Sequence, residues 1–302
     1  MIGNIDKLVQ LAQIRGGVNV QCHFQGEWTV QHHDHANQAV VHIVTEGCGW
    51  LKLENGESRQ LQKGDIVLLS RSAAHQLSSS KDVNPFPSSP DIEQKGGIQI
   101  RKIFNGQGNE LKLFCAHFYY EPHSDLFMNL PDCIYIHLSD QILQPILNLL
   151  HQEVDKAEQI SQLAIDSLSN VLLIHLLRHY LIQKPEAVSG ILKSIQDHRL
   201  STLVSQIISC PEQDWTIEKM VEISHISRAQ LMRIFKQKIG ITPHAFVHNI
   251  RLQLAAMMLK NSSSSVLTIA LSCGFLSETH FSKAFKNLYG TTPSRYRRNG
   301  ID

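Results

Sequence analysis

Apolar residues recur at two different periods along this 302-residue chain, and the change of period divides it. Up to about residue 125 the apolar runs are short, rich in β-branched residues and separated by glycine and polar turns, which is the pattern of strands. Residues 40–45, 49–53 and 65–69 are the clearest. Asn55-Gly56 signals a hairpin, because both turn positions tolerate positive φ. Residues 98–103 and 111–119 form a later pair, and 134–138 one more strand. Residues 5–14 predict a short helix ended by Gly16-Gly17, and 81–97, with three prolines, a long loop. Many strands without intervening helices imply a sandwich or barrel. From residue 140 the spacing changes to three and four. Ile142, Leu143, Ile146, Leu149, Leu150 and Val154 share one helical face, and a second helix over 161–182 stops at Lys184-Pro185. This helix pair either packs on the strands or joins two copies of the chain.

The last third nearly lies over itself when displaced by fifty residues. Ser227 falls on Ser277, Phe235 on Phe285, Gly240 on Gly290, Thr242 on Thr292 and Pro243 on Pro293. Such a period means one supersecondary unit used twice. After a single helix predicted over 191–210, residues 217–224 read as a short helix. His225-Ile226 is its turn, and Ser227 caps a second helix running to Lys238, with Gly240 as its stop. The copy has a helix over 266–273, a turn at Gly274-Phe275-Leu276, Ser277 as cap, and a helix to Tyr289 stopped by Gly290. Two short helices joined by a tight turn form a helix-turn-helix, the second helix entering the DNA major groove. Residues 243–259 contain no breaker and predict one long helix, able to hold the two reading helices about one DNA turn, roughly 34 Å, apart.

Composition sharpens this division. The net charge of +1 hides an asymmetry: residues 201–302 carry 12 Lys and Arg against 6 Asp and Glu, and residues 1–200 carry 16 against 21. A basic tail behind an acidic front points the tail at a polyanion. The six cysteines are scattered without C-x-x-C or zinc spacing, as expected of buried thiols in a reducing cytoplasm. No signal-peptide order and no run of eighteen apolar residues is present, so a cytoplasmic protein without membrane contact is expected.

Ile269-Ala270, Gly274-Phe275, residues 281–286, Tyr289-Gly290, Thr292-Pro293 and Tyr296-Arg297 resemble the signature of the AraC family of transcriptional regulators. The resemblance implies double-stranded DNA as partner, RNA polymerase as a further partner if the protein activates, and no enzymatic activity. Carried over position by position, it places base-edge contacts at Ala229, Met232 and Arg233 in the first unit. In the second it places them at Glu278, Thr279, His280 and Lys283. Arg233 suits bidentate pairing with guanine, and Glu278 can accept from cytosine. Ser227, Arg228, Gln230, Lys236, Arg251, Ser277, Ser282 and Lys286 complete the expected DNA-binding set, mostly as phosphate contacts or caps. Phe235, Phe246, Phe285, Tyr296, Ile217, Leu271 and Phe275 follow the inner face and are expected in the core.

The front segment resembles the cupin-type sensor domain of the same family. The resemblance rests on Trp28, the His32-His33-Asp34-His35 cluster, His42, residues 46–51, residues 64–69 and Ala74-His75. It implies an unknown small-molecule effector, bound in a pocket lined by Trp28, His42, Trp50 and His75. Metal-binding cupins use an H-x-H pair, a carboxylate and a later histidine. Here His33, His35 and His75 are the corresponding residues, but Ala39 or Val40 stands where the carboxylate belongs. No metal or other cofactor is therefore expected. A cupin-type metal-binding protein or metalloenzyme fused to a DNA-binding domain is the alternative.

The expected fold is a multidomain α+β chain. A cupin-like β-barrel or sandwich over 1–125 senses an effector. A helical linker over 126–190 offers a surface for homodimerisation. An all-α DNA-binding domain over 191–302 carries helix-turn-helix units at about 216–240 and 266–290.

Overall fold

The computed structural model describes residues 3–33, 35, 37–71, 73–82, 87–137, 140–156 and 160–299; Asp34, Leu138 and residues 83–86 of the expected loop lie outside this set. The chain falls into two compact units. One consists of Ile14–Tyr120 and Pro131–Gln183, the other of Met1–Gln13, Glu121–Leu130 and Lys184–Asp302. The N-terminal helix and a stretch between two strands thus belong with the C-terminal helices, and the helix pair belongs with the strands.

Among the described residues the first unit is a curled, ten-stranded half-barrel with two helices. Its strands are β1 (Arg15–Gly26), β2 (Thr29–His32), β3 (Gln38–Leu53), β4 (Ser58–Gln62) and β5 (Asp65–Leu69). They continue as β6 (His75–Ser78), β7 (Asp91–Lys95), β8 (Ile98–Asn105), β9 (Glu110–Tyr119) and β10 (Cys133–His137). The main order is β10-β5-β3-β9-β1-β8-β7, with β4 and β6 on the far half of β3 and β2 on β6.

The two strands expected over 40–53 are one. β3 runs for 16 residues and bends at a bulge where its register with β9 shifts between Val44 and Glu46. The bulge lets one strand serve both halves of the barrel. It also reverses which side chains face inward: Val40 and Val44 before it, Leu51 after it, all lie in the barrel core. Gly47 follows at φ +74, where a Cβ would sit 1.8 Å from the Glu110 carbonyl oxygen. Gly16 and Gly17 do not end a helix; they lie inside β1. At φ +91, Gly16 passes so close to the His117 carbonyl that any side chain would collide with it. Part of the expected loop over 81–97 is the edge strand β7, whose residues are nearly all exposed and so lack the alternation that marks a strand.

Chain order gives the helices as α1 (Gly3–Leu11), α2 (Asp125–Met128), α3 (Asp140–Val154), α4 (Gln162–Gln183), α5 (Gly190–Gln196) and α6 (Ser201–Ser209). They are followed by α7 (Ile217–Ser224), α8 (Arg228–Lys238), α9 (Pro243–Asn261), α10 (Val266–Ser272), α11 (Glu278–Tyr289) and α12 (Pro293–Asn299). In the first unit α4 packs on β1, where the Ser169 hydroxyl accepts from the Val18 amide at 2.9 Å and Gly17 leaves room for the helix. No helix among the described residues is long and apolar enough to cross a membrane.

In the second unit the single helix expected over 191–210 is two. The Asp197 carboxylate accepts from the Arg199 amide and guanidinium at 3.0 Å, and this local turn interrupts the helical ladder between α5 and α6. Each half of the fifty-residue repeat is built on an equivalent aromatic pair. Phe235 meets Phe246 edge-on at 5.8 Å, and Phe285 meets Tyr296 at 5.2 Å. Leu271, expected in the core, is 53% exposed; α10 buries Ile269 and Ala270 instead.

The stretch Glu121–Leu130 is fastened to the second repeat by polar contacts. Glu121 receives the Lys260 ammonium and the Tyr296 hydroxyl, the latter at 2.5 Å. Asp125 accepts from the Gln253 amide at 2.7 Å.

Candidate nucleic-acid interface and a buried histidine cluster

Each reading helix is started and stopped by its own sequence. In the first unit Thr216 caps α7 by accepting from the Lys219 amide, and His225 closes it in the left-handed conformation at φ 53. Ser227 and Gln230 form a reciprocal capping box at the start of α8. In the second unit Ser265 caps α10, Gly274 makes the turn at φ +85, Ser277 caps α11 and Gly290 ends it at φ +71. Three positions of α8 and two of α11 are buried: Leu231, Ile234 and Phe235, then Phe281 and Phe285. Their opposite faces carry Ala229, Met232, Arg233 and Lys236 on α8, and Glu278, Thr279, His280, Lys283 and Lys286 on α11, all exposed. Between them α9 has 19 residues, a rod of roughly 28 Å at 1.5 Å per residue.

Inside the half-barrel of the other unit the polar chemistry converges on three histidines. His32 stands directly opposite His75 across β2 and β6, and their rings stack at 4.6 Å with planes 2° apart. His42 stands opposite Cys115 across β3 and β9, with Nδ1 and Sγ 3.1 Å apart. The pairs meet where His42 Nε2 lies 2.8 Å from His75 Nε2. One ligand atom from each histidine lies within 4.8 Å of the other two. His42 and His75 are buried, and His32 is half-buried. The hydrogen-bond directions follow from one fixed acceptor. The Ala73 carbonyl can only accept, so His75 Nδ1 donates to it at 2.7 Å and leaves His75 Nε2 as a lone pair. His42 Nε2–H fills that lone pair, and His42 Nδ1 is left to accept from the Cys115 thiol. Burial lowers all three imidazoles, His75 to about 4, and the charge each would place on the others lowers His32 and His42 further. Its hydrogen bond with Cys22, together with burial, raises the Cys115 thiol. The cluster is therefore a neutral chain.

Comparison with known proteins decides the family. Residues 5–182 match the family pattern described as Cupin, and 220–299 match that described as Helix-turn-helix domain. The chain is 43% identical over 298 residues to the HTH-type transcriptional regulator MtrA of Neisseria gonorrhoeae, covering 98% of both chains. It is 40% identical to an uncharacterized HTH-type transcriptional regulator of Haemophilus influenzae, again over 98% of both. This chain belongs to the AraC family, with a cupin-type N-terminal domain. Among solved structures, ToxT from Vibrio cholerae O395 is 13% identical and covers 94% of this chain and 97% of that one, with a TM-score of 0.39.

Within this AraC-family frame the structure places the expected site residues unevenly. Arg233, Lys236, Lys283 and Lys286 are exposed, and no carboxylate meets them in an ion pair among the described residues. Arg228 has Glu218 at 4.0 Å, and Ser282 is half-buried. The polar groups of Ser227, Gln230 and Ser277 are engaged in capping. Arg251, expected at a phosphate, instead points its guanidinium at its own fold. It donates to the Pro211 and Gln213 carbonyls at 2.7 Å each and packs against Gly274. These bonds fasten the 211–213 turn to α9.

In the cupin-type domain, Trp28 is buried in the barrel core with its indole N–H unpaired, and His42 and His75 line the same interior. Trp50 does not join them. The bulge in β3 sends Leu51 inward and leaves Trp50 on the other face, near Lys81. His33 and His35 are exposed and take no part in the cluster; of the expected set His33, His35 and His75, only His75 does. The sequence marked His32 only as part of a histidine cluster and not as a site residue, and it did not mark Cys115 at all. β2 ends at His32 with Val30 in the core, so strand alternation from Val30 was the available signal for His32. Cys115 depends on pairing with a strand 73 positions away in sequence.

Proposed function

We propose that this chain is a transcriptional regulator that binds specific DNA sequences through α8 and α11 and answers to an effector held in its half-barrel. The observation that carries the reading is the pair of similarly scaffolded helices with exposed outward faces. Caps, stops and core aromatics repeat, whereas the exposed residues do not: Ala229, Met232 and Arg233 against Glu278, Thr279, His280 and Lys283. The two HTH-type regulators similar over nearly the whole chain support it. Two dissimilar boxes per subunit follow, with Arg233 as the principal base reader of the first. Sensing belongs to the segment before about residue 125 and reading to residues 191–302, with RNA polymerase as a partner if transcription is activated. The protein works in the cytoplasm.

Selection of bound sites from random DNA, followed by binding titrations, tests this. Arg233→Ala should relax one base position in the first box and weaken the preferred site by about 1–3 kcal/mol. Equal weakening on every sequence would instead mark Arg233 as a phosphate contact. Pairing of two copies is supported by apolar residues on the exposed side of α4, where Leu163 is 78%, Val171 45% and Ile182 68% exposed. Sedimentation of the wild type and of Leu163→Glu/Val171→Glu should give a dimer and a monomer respectively.

A further inference from the structure

We propose that His32, His42 and His75 bind a late first-row transition-metal ion, zinc or copper, inside the half-barrel, and that this ion is the effector. The effector role rests on the regulator reading above; the site itself does not.

Three imidazole nitrogens without a carboxylate suit ions of borderline softness such as zinc and copper, and disfavour magnesium and calcium, which take oxygen ligands. Three protein ligands with one open position is also how zinc is held where a further ligand must enter.

Metal–nitrogen bonds of 2.0–2.1 Å at tetrahedral angles set ligand nitrogens roughly 3.3 Å apart. His42 and His75, at 2.8 Å between Nε2 atoms, need only open slightly; the third must close from within 4.8 Å. That closure falls to His32, the last residue of β2 and the half-buried member of the three.

Outer contacts are already in place. A metal-bound imidazole is ordinarily oriented by a hydrogen bond from its other ring nitrogen. His75 has this in the Ala73 carbonyl. His42 has Cys115 Sγ, which accepts once the His42 proton moves from Nε2 to Nδ1 to free Nε2 for the metal. That tautomer change releases no proton and leaves the thiol intact.

A cleft of about 180 Å³ is lined by Gln31, Lys52, Glu54, Ala74, His75 and Gln76, of which Gln31, Lys52 and Gln76 pair on the face of β2, β3 and β6 opposite to the cluster. The fourth coordination position is left to water or a small ligand. The site differs from the metal set of cupin enzymes: two of its three histidines stand at other positions, and it has no carboxylate. Metal would replace the hydrogen bond from His42 to His75 with a tie joining β2, β3 and β6, the two halves of the barrel.

The test uses the full-length, untagged protein, freed of metal by chelator dialysis. Zn²⁺, Cu⁺ and Mg²⁺ are titrated separately, with occupancy measured by equilibrium dialysis and elemental analysis and with Co²⁺ absorption reporting tetrahedral nitrogen ligation. One equivalent of Zn²⁺ or Cu⁺ should bind and Mg²⁺ should not; which of the two binds tighter identifies the ion. His75→Gln and His32→Gln should each lose at least tenfold in affinity, and His33→Gln/His35→Gln should lose none. His32→Gln lies at the half-buried edge, and circular dichroism checks that every variant is folded. No stoichiometric binding of either ion overturns the site, as does binding that survives His75→Gln and His32→Gln. DNA affinity is measured with and without the ion. A change of threefold or more, absent in His32→Gln, supports the effector role, and an unchanged affinity overturns it. Failure to bind DNA in either state would count against the regulator reading and leave the metal result standing.

Discussion

Replacing Glu121 with alanine should unfasten the segment between β9 and β10 from the second repeat. The Glu121 side chain is 9% exposed and that of Lys260 17%, so their ion pair is poorly screened. The Tyr296 hydroxyl donates to the same carboxylate at 2.5 Å, and the Lys260 ammonium sits 4.9 Å from the Tyr296 ring centroid. Removing the carboxylate strands a largely buried cation and a phenol donor together. Breaking a buried pair costs about 3–5 kcal/mol and the hydroxyl bond adds about 1–3; residual exposure and relaxation of Lys260 toward solvent bring the sum to about 3–4 kcal/mol. At about 2–4 °C per kcal/mol, the melting temperature of this unit should fall by roughly 10 °C. Glu121→Gln keeps an acceptor for Tyr296 and loses only the charge, so it should fall less. Differential scanning calorimetry on the full chain reads both. A Glu121→Ala transition within a degree of wild type, or a larger loss in Glu121→Gln, would refute the assignment of this carboxylate as the fastener.

Arg251→Ala should lower stability by roughly 2–4 kcal/mol through two lost charge-assisted bonds while leaving the salt dependence of DNA binding unchanged; a smaller salt slope in a folded variant would restore the phosphate role. The hydrogen bonds and charge of Arg199, with Lys238 beyond, hold the Asp197 carboxyl below its usual range. Its contribution is therefore fully present above the unfolded value near 4 and lost as pH falls through the folded one. Asp197→Asn should be less stable than wild type at pH 7, with the gap narrowing below about pH 4 in denaturant titrations. A gap that is constant with pH would contradict this.

How much was legible in the sequence depended on how local the determinants were. Ser227, Ser277 and Gly290 act on backbone groups within a few residues, so the two helix-turn-helix units could be read from their own punctuation. Asp197 is also local, but its apolar flanks carried helical spacing straight across the turn. The rest needed long-range knowledge. The parallel pairing of β1 with β8 leaves no turn signature, and an edge strand such as β7 has no buried face to pattern it. The bulge in β3 reverses the pleat, so counting alternation from His42 misplaces Trp50. The helical period marks Leu271 as apolar but cannot say that its face is left uncovered. Arg251 was assigned by charge, and only the nearby Pro211 and Gln213 carbonyls reveal its use. The assignment of Glu121–Leu130 to the C-terminal unit rests on partners more than a hundred positions away.

Footprinting of the intact protein on a selected site tests whether one chain carries two reading helices with different reading faces. Two neighbouring major-groove segments of unlike sequence should be protected, with Arg233→Ala disturbing only the first and Lys283→Ala only the second. Protection of a single segment by the folded wild-type protein, or two segments that both respond to either substitution alone, would contradict it.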